Sequence, residues 1–301
     1  MRANRAVEVL FTVLVLFFGA ASFQSVVAQD EDQSKAIKAE EFVKTRPASK
    51  RPSANARYKP ASKSSTSPIP AAPPAGMVFA QMGVTIWRFR RSTAADKTKE
   101  LVEEDQSGPT EWTLERIEEG TPLSTGQRVR LSIESLTRTG YLYVIDRELY
   151  ADGTLGDPVL LFPTEKTRDA NYVKAGRLVY IPSATGKFRI KPSEGTKVHV
   201  GEMVTILVSP EKLINPEQLG AKSIRLPRQQ VESWEKLWGA TPTRFEMDGG
   251  AGQTMTEKEQ AAGASSSPEL TQEDPVPQTV YRVAIKPTNP IVLSVPLKFR
   301  Q

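Results

Sequence analysis

GQRVRLSIESLTRTGYLYVIDRELY, residues 126–150, holds two runs of side-chain period two separated by a polar turn. In the first, Val129, Leu131 and Ile133 alternate with Arg128, Arg130, Ser132 and Glu134, the pattern of a strand with one buried and one solvated face. In the second, Tyr141–Asp146 is apolar on both faces, as a central strand requires. Beyond it lie Asp146, Asp152 and Asp157 with Gly153 and Gly156, followed by the apolar run Val159–Phe162. That acidic stretch reads either as a metal loop or as the turn of a long hairpin. A calcium loop of the helix–loop–helix kind needs oxygen ligands at alternate positions from Asp146, and Tyr150 occupies one of them. Asp152-Gly153 and Gly156-Asp157-Pro158 suit a turn between strands, so a hairpin is expected.

The same alternation runs along much of the chain. Gly83–Arg90 places Val84 and Ile86 on one face and Trp87 and Phe89 on the other. Leu178–Ile181, Lys187–Ile190 and Glu202–Ser209 add further short strands, and Thr279–Ile285 and Ile291–Phe299 form a terminal strand pair at about 279–299. Pro296 lacks a backbone donor, which makes the last strand an edge strand. Leu226–Gly239 reads instead as one amphipathic helix, about 227–238: Val231, Trp234 and Trp238 share a face, Pro227 opens it and Gly239 follows it. Residues 247–277, rich in Gly, Ser and Glu, are expected to form a mobile loop. Short strands at roughly ten-residue spacing indicate a mainly β fold: an antiparallel β-sandwich of the immunoglobulin-like type with one short helix, occupying 77–301 as a single domain.

Residues 1–28 have the anatomy of a secretory signal peptide: Arg2 and Arg5, an apolar run from Val9 to Ala21, and Val26 and Ala28 ahead of a cleavage point. An uncleaved anchor is the alternative, although Gly19, Ser22, Gln24 and Ser25 dilute the run below the roughly 20 residues a spanning helix needs. Residues 29–76 are rich in Pro, Ala, Ser and Lys, and are expected to be a disordered tether. Between Lys44 and Lys63 seven basic residues occur with no acidic one. The net charge of +5 resides there and in the leader, with +1 over 1–28 and +4 over 29–75, so the folded part is neutral. A neutral exported domain offers no electrostatic footprint for nucleic acid. The expected location is periplasmic or extracellular.

The runs TGYLYVIDRE, DGTLGDP, LLFP, NYVKAGRLVYIP and GEMVTILVSP together resemble domain-of-unknown-function family 4384. The elements are Gly140–Val144, Asp152-Gly153, Leu160–Pro163, Asn171 with Ala175-Gly176, and Ile181-Pro182, within about 120–214. The resemblance implies a small β-sandwich found alone in exported proteins or appended to caspase-like peptidases and protein kinases. It supplies no functional residues to carry over. Neither catalytic partner is present in this chain, which has no cysteine, no Gly-rich nucleotide loop and no H-R-D segment.

The chain is poor in chemistry. Without cysteine there is no thiol nucleophile, disulfide or thiolate metal site. His199, the single histidine, lies between Val198 and Val200 at an out-pointing strand position. No G-x-S-x-G elbow accompanies it, so neither a triad nor zinc is expected. Ser209–Lys212 matches S-x-x-K, and Gly186-Lys187 half-matches a phosphate loop, but each lacks its companion elements. A carboxylate pair for glycoside hydrolysis has no local signature, and 35 acidic residues leave it without a focus. Trp87, Trp112, Trp234 and Trp238 with Tyr141, Tyr143, Tyr172 and Tyr180 are assigned to core packing, with a peptide or glycan groove as the alternative. No catalytic, metal or cofactor residue is named. The expected function is a non-catalytic envelope protein that recognises a protein or polymer partner. The alternatives are a structural component held electrostatically by its basic tether, and a hydrolase with an unrecognised carboxylate pair.

Overall fold

A 14-residue strand, β2 (Val78–Arg91), is the spine of the first sheet in the computed structural model. The structure describes residues 35–36, 44, 46–48, 72–104, 108–174, 176–191, 195–247, 249–263 and 269–300. The expected signal peptide and most of the expected tether lie outside them. β2 carries two partners in succession along its length. β14 (Thr279–Ile285) pairs with Val78–Val84, and β4 (Gly108–Ile117) takes over from Ile86 to Arg91. β5 (Arg128–Ser135) pairs with Met82–Arg88. Outward from these lie β13 (Thr243–Glu246) on β14, β3 (Glu100–Glu104) on β4, and β9 (Leu178–Ile181) and β10 (Phe188–Arg189) on β5. The two-residue β1 (Lys35–Ala36) runs parallel to β13, and the other pairings of the sheet are antiparallel.

The second sheet is built on β6 (Gly140–Tyr150), which is central as its two apolar faces require. β11 (His199–Ser209) pairs along its length, and β7 (Val159–Phe162) and β8 (Tyr172–Val173) pair with it as well. β12 (Ile224–Arg225) extends the sheet beyond β7. β15 (Ile291–Lys298) pairs with β11 and lies at the sheet's end. Pro296 therefore sits on an edge strand, where a missing donor costs no ladder bond. β14 and β15 join different sheets and so tie the C-terminal chain into both. The two sheets share one core: Met82, Val84, Ile86, Leu131 and Ile133 from the first meet Leu142, Val144, Val204, Ile206, Leu293 and Val295 from the second.

The outer face of the second sheet is covered by α1 (Arg228–Trp238), whose Val231 and Trp234 pack with Tyr143, Ile145, Leu160, Leu207 and Val292. Gly239 ends this helix where a Cβ would come within 2.3 Å of the Glu235 carbonyl oxygen.

The outer face of the first sheet departs from the sequence reading. The alternation of β5 points to a solvated face, yet Arg130 and Glu134 are 0% exposed and Ser132 is 2%. The described residues of the stretch 247–277, read as a mobile loop, supply part of the cover. They contain the short helix α2 (Glu257–Ala262) and the buried side chains Met247, Met255, Leu270 and Val276. Trp87, Phe89, Leu114 and Tyr180 pack with Met255 and Leu270, and Leu136 and Val280 pack with Met247 and Val276. Every charge enclosed there has a partner. Arg130 donates to both Glu100 oxygens at 2.7 and 2.8 Å and to the Gly186 carbonyl at 2.7 Å. Arg116 pairs with Glu259 and donates to the Val276 carbonyl at 2.6 Å. The Trp87 indole N–H donates to Ser132 Oγ at 2.9 Å.

Glu134 receives its partner from far along the chain. Arg46, read as part of the solvated tether, is 2% exposed and donates to both Glu134 oxygens at 2.7 Å. Its remaining donors reach the carbonyls of Asp274 (2.9 Å), Pro275 (3.1 Å) and Thr271 (3.3 Å). Residues 46–48 therefore belong to the fold. Removing one member of such a pair strands a charge in the interior. Arg46→Ala is expected to cost about 3–5 kcal/mol in urea-induced unfolding. The exposed neighbour Lys44→Ala should shift stability by no more than about 0.5 kcal/mol.

Candidate functional site

The inner face of β6 reads Leu142, Val144, Asp146, Glu148. The first two enter the shared core, and the next two continue the same face along its margin. On β11, Glu202 stands opposite Glu148, and Val204 opposite Asp146. Residues of both sheets line a cleft of about 280 Å³ here. Its lining includes Val129 and Leu131 from β5, Phe188 with Arg189, Ile190 and Lys191 around β10, and Leu297 from β15.

His199 also lines the cleft, contrary to the exposed position read from sequence. Its side chain is only 4% exposed. The cause is a bulge in β11: His199 pairs with Tyr150 and Gly201 with Leu149, so Val200 is an extra residue in the ladder. One inserted residue reverses the alternation on its far side. His199, which regular spacing would point away from Glu202, is thereby turned onto the same face. Its Nε2 stands 3.2 Å from Glu202 Oε1, and its ring meets the Phe299 ring edge-on at 4.9 Å. Gly201 allows the close approach of β15, since a Cβ there would fall 2.3 Å from the Leu297 carbonyl oxygen.

The carboxylates are unevenly satisfied. Glu148 accepts a hydrogen bond from the Tyr150 hydroxyl. Asp146 Oδ1 and Glu202 Oε2 are enclosed and accept none, the two such carboxylate oxygens among the described residues. Burial raises the pKa of Asp146 above the ordinary carboxylate range, with the Glu148 charge acting in the same direction and the Arg147 backbone N–H opposing it. Burial likewise raises Glu202, reinforced by the charges of Asp146 and Glu148. The two titrate as a unit, since ionising one opposes ionising the other.

The other residues singled out by sequence do not assemble here. Asp152 accepts from the Thr154 N–H (2.9 Å) and hydroxyl (2.6 Å) and from Lys197 (3.0 Å), closing the hairpin turn with Gly153 at φ +77°. Asp157 pairs with Arg228 at 2.8 Å and with Arg225 at 3.5 Å. The antiparallel pairing of β6 with β7 makes the acidic stretch a hairpin, as expected. Among the described residues, no group of three or more His, Asp or Glu is arranged to hold a metal ion. Ser209 Oγ accepts from the Glu211 N–H at 3.2 Å, a local turn contact. Of the aromatics, Trp87, Tyr143, Tyr180 and Trp234 are buried, Trp112, Tyr141 and Trp238 are half-buried, and Tyr172 is exposed.

Sequence reasoning passed over Asp146, Glu148 and Glu202 as a group. One signal was available: the period of β6 carries Asp146 and Glu148 onto the face of Leu142 and Val144. Nothing local places Glu202 beside them, because the pairing spans more than 50 residues. Comparison with known proteins finds no matching family model, no matching curated protein and no matching solved structure.

Carboxyl groups with raised pKa bind more protons in the folded than in the unfolded chain, so stability falls as pH rises. Their contribution is complete below about pH 4, the unfolded carboxylate range, and is lost as pH climbs through the raised values. Thermal unfolding should therefore show a lower Tm at pH 9 than at pH 5. Asp146→Asn should raise the Tm at pH 9 and flatten the slope, with little change at pH 5.

Proposed function

We propose that the protein is a non-catalytic, exported accessory module of the envelope that recognises a partner through the cleft between its two sheets, on a scaffold of the immunoglobulin-like sandwich type. One observation carries this reading. Charges enclosed on the outer face of the first sheet are matched by ion pairs, whereas the cleft leaves two enclosed carboxylate oxygens without a donor. Leaving such groups unmatched is costly in a fold, and strongly perturbed carboxyls in a concave site are a mark of function. Export rests on the sequence of residues 1–28 alone.

A second reading has its own support. A carboxyl held protonated beside one that ionises is the arrangement general acid–base hydrolysis uses, and Asp146 with Glu202 supplies such a pair. Attachment through the basic tether is less favoured, because Arg46 is spent inside the fold and leaves that stretch one charge fewer.

The test is a pull-down from a native envelope extract, using the mature chain as bait with washes at low and high salt. Truncation before residue 76 is avoided because it would remove Arg46. The recognition reading expects a partner that survives 0.5 M salt, is lost with Asp146→Asn/Glu202→Gln, and is retained when Lys50, Arg51, Arg57, Lys59 and Lys63 are neutralised. The opposite pattern, with salt-sensitive capture lost only on neutralising the basic residues, transfers the interaction to the tether. Turnover of envelope glycans by the mature chain, abolished by either cleft substitution, establishes the hydrolase instead.

A further inference from the structure

The shape and lining of the cleft narrow what it can hold, given the recognition reading above. Its 280 Å³ lies just under the range of small-molecule sites, roughly 300–1,000 Å³, which suits one long side chain or a short chain-like molecule. Leu131, Leu161, Phe188, Ile190, Val204 and Leu297 give it apolar walls. The titratable groups facing it from β6 are Asp146 and Glu148, from β11 His199 and Glu202, and from the segment around β10 Arg189 and Lys191. Arg189 and Lys191 are exposed, and neither forms an ion pair with the carboxylates among the described residues. Glu148 is engaged by Tyr150, which leaves Asp146 Oδ1 and Glu202 Oε2 to receive donors.

We propose that the cleft receives an alkylammonium or guanidinium group carried on an apolar stem, and that proton uptake by its carboxylates expels that ligand. Each part of such a ligand has a counterpart. The methylene stem lies against the apolar walls, as lysine and arginine stems do on protein surfaces. The cationic head pairs with the carboxylates of Asp146 and Glu202, which line the cleft and receive too few donors from the chain itself. A neutral polar ligand would leave the charge of the ionised carboxylates unmatched. Protonation removes the charge that holds the cation, because Asp146 and Glu202 hold their protons to higher pH than ordinary carboxyls. By linkage, binding the cation drives ionisation and releases protons.

The experiment is isothermal titration calorimetry on the mature chain at pH 6 and pH 9, in paired buffers of different ionisation enthalpy. The probes are acetyl-Gly-Lys-Gly-amide and 1,5-diaminopentane, with the norleucine analogue of the peptide as the uncharged control. A lysine ammonium stays charged at pH 9, its pKa being about 10.4. The expected result is at least tenfold tighter binding of a cationic probe at pH 9, with protons released, and no binding of the norleucine peptide. Asp146→Asn and Glu202→Gln, each shown to be folded by circular dichroism, should each weaken binding at pH 9 by tenfold or more. Binding of the peptide alone identifies the natural source as a polypeptide side chain, and binding of the diamine alone identifies a free amine; either supports the shared chemistry. Equal affinity at the two pH values, equal binding of norleucine, or no binding of either cation overturns the proposal. In that event, a partner still lost from the pull-down with the cleft variants leaves the cleft as the recognition site and removes only its ligand class. A partner retained by those variants removes both.

Discussion

Glu134 stands one residue from the end of β5 with no solvent exposure, and much of the first sheet's organisation follows from keeping that charge matched. A carboxylate enclosed in a protein interior requires an opposite charge and donors for its lone pairs. Arg46 supplies both, and its other guanidinium donors hold the carbonyls of Thr271, Asp274 and Pro275. One side chain thus joins three stretches distant in sequence: the segment before the domain, the centre of the first sheet, and the covering stretch ahead of β14. Arg130 with Glu100, and Arg116 with Glu259, repeat the arrangement elsewhere on the same face. These pairs hold the covering layer in place by requirement, since neither partner can leave without stranding the other.

The cleft is the counterpart of that closed face. The face of β6 that enters the shared core is apolar at Leu142 and Val144 and turns acidic at the cleft, because its period continues into Asp146 and Glu148. A single inserted residue in β11 brings His199 to the same mouth. The same physical rule therefore gives opposite outcomes at the two places. Enclosed charge is matched from within the chain on the outer face, and left for protons or a ligand at the cleft.

Several elements were legible in the sequence because each depends on contiguous residues. The helix at 228–238 follows from the spacing of Val231, Trp234 and Trp238 between Pro227 and Gly239. The β6–β7 hairpin follows from Asp152-Gly153, the central place of β6 from its two apolar faces, and the edge place of β15 from Pro296. The solvated face assigned to β5 was misread because Arg130 and Glu134 look polar locally, and their neutralising partners, Glu100 and Arg46, lie 30 and 88 residues away. Residues 247–277 read as a loop from composition, yet Met255 and Leu270 dock on Phe89 and Leu114, and Met247 and Val276 on Leu136 and Val280.

The sequence by itself determined the secondary-structure class, the positions of helix, hairpin and edge strand, and the lack of thiol chemistry, since all of these rest on local periodicity, turn residues and composition. Tertiary structure alone decided which polar residues are enclosed, that Arg46 belongs to the domain, and that Asp146, Glu202 and His199 meet in one cleft. The physical reason is that burial, and the pKa shifts it produces, depend on what the rest of the chain lays over a residue. That covering comes from partners tens to hundreds of residues away, which no local pattern encodes.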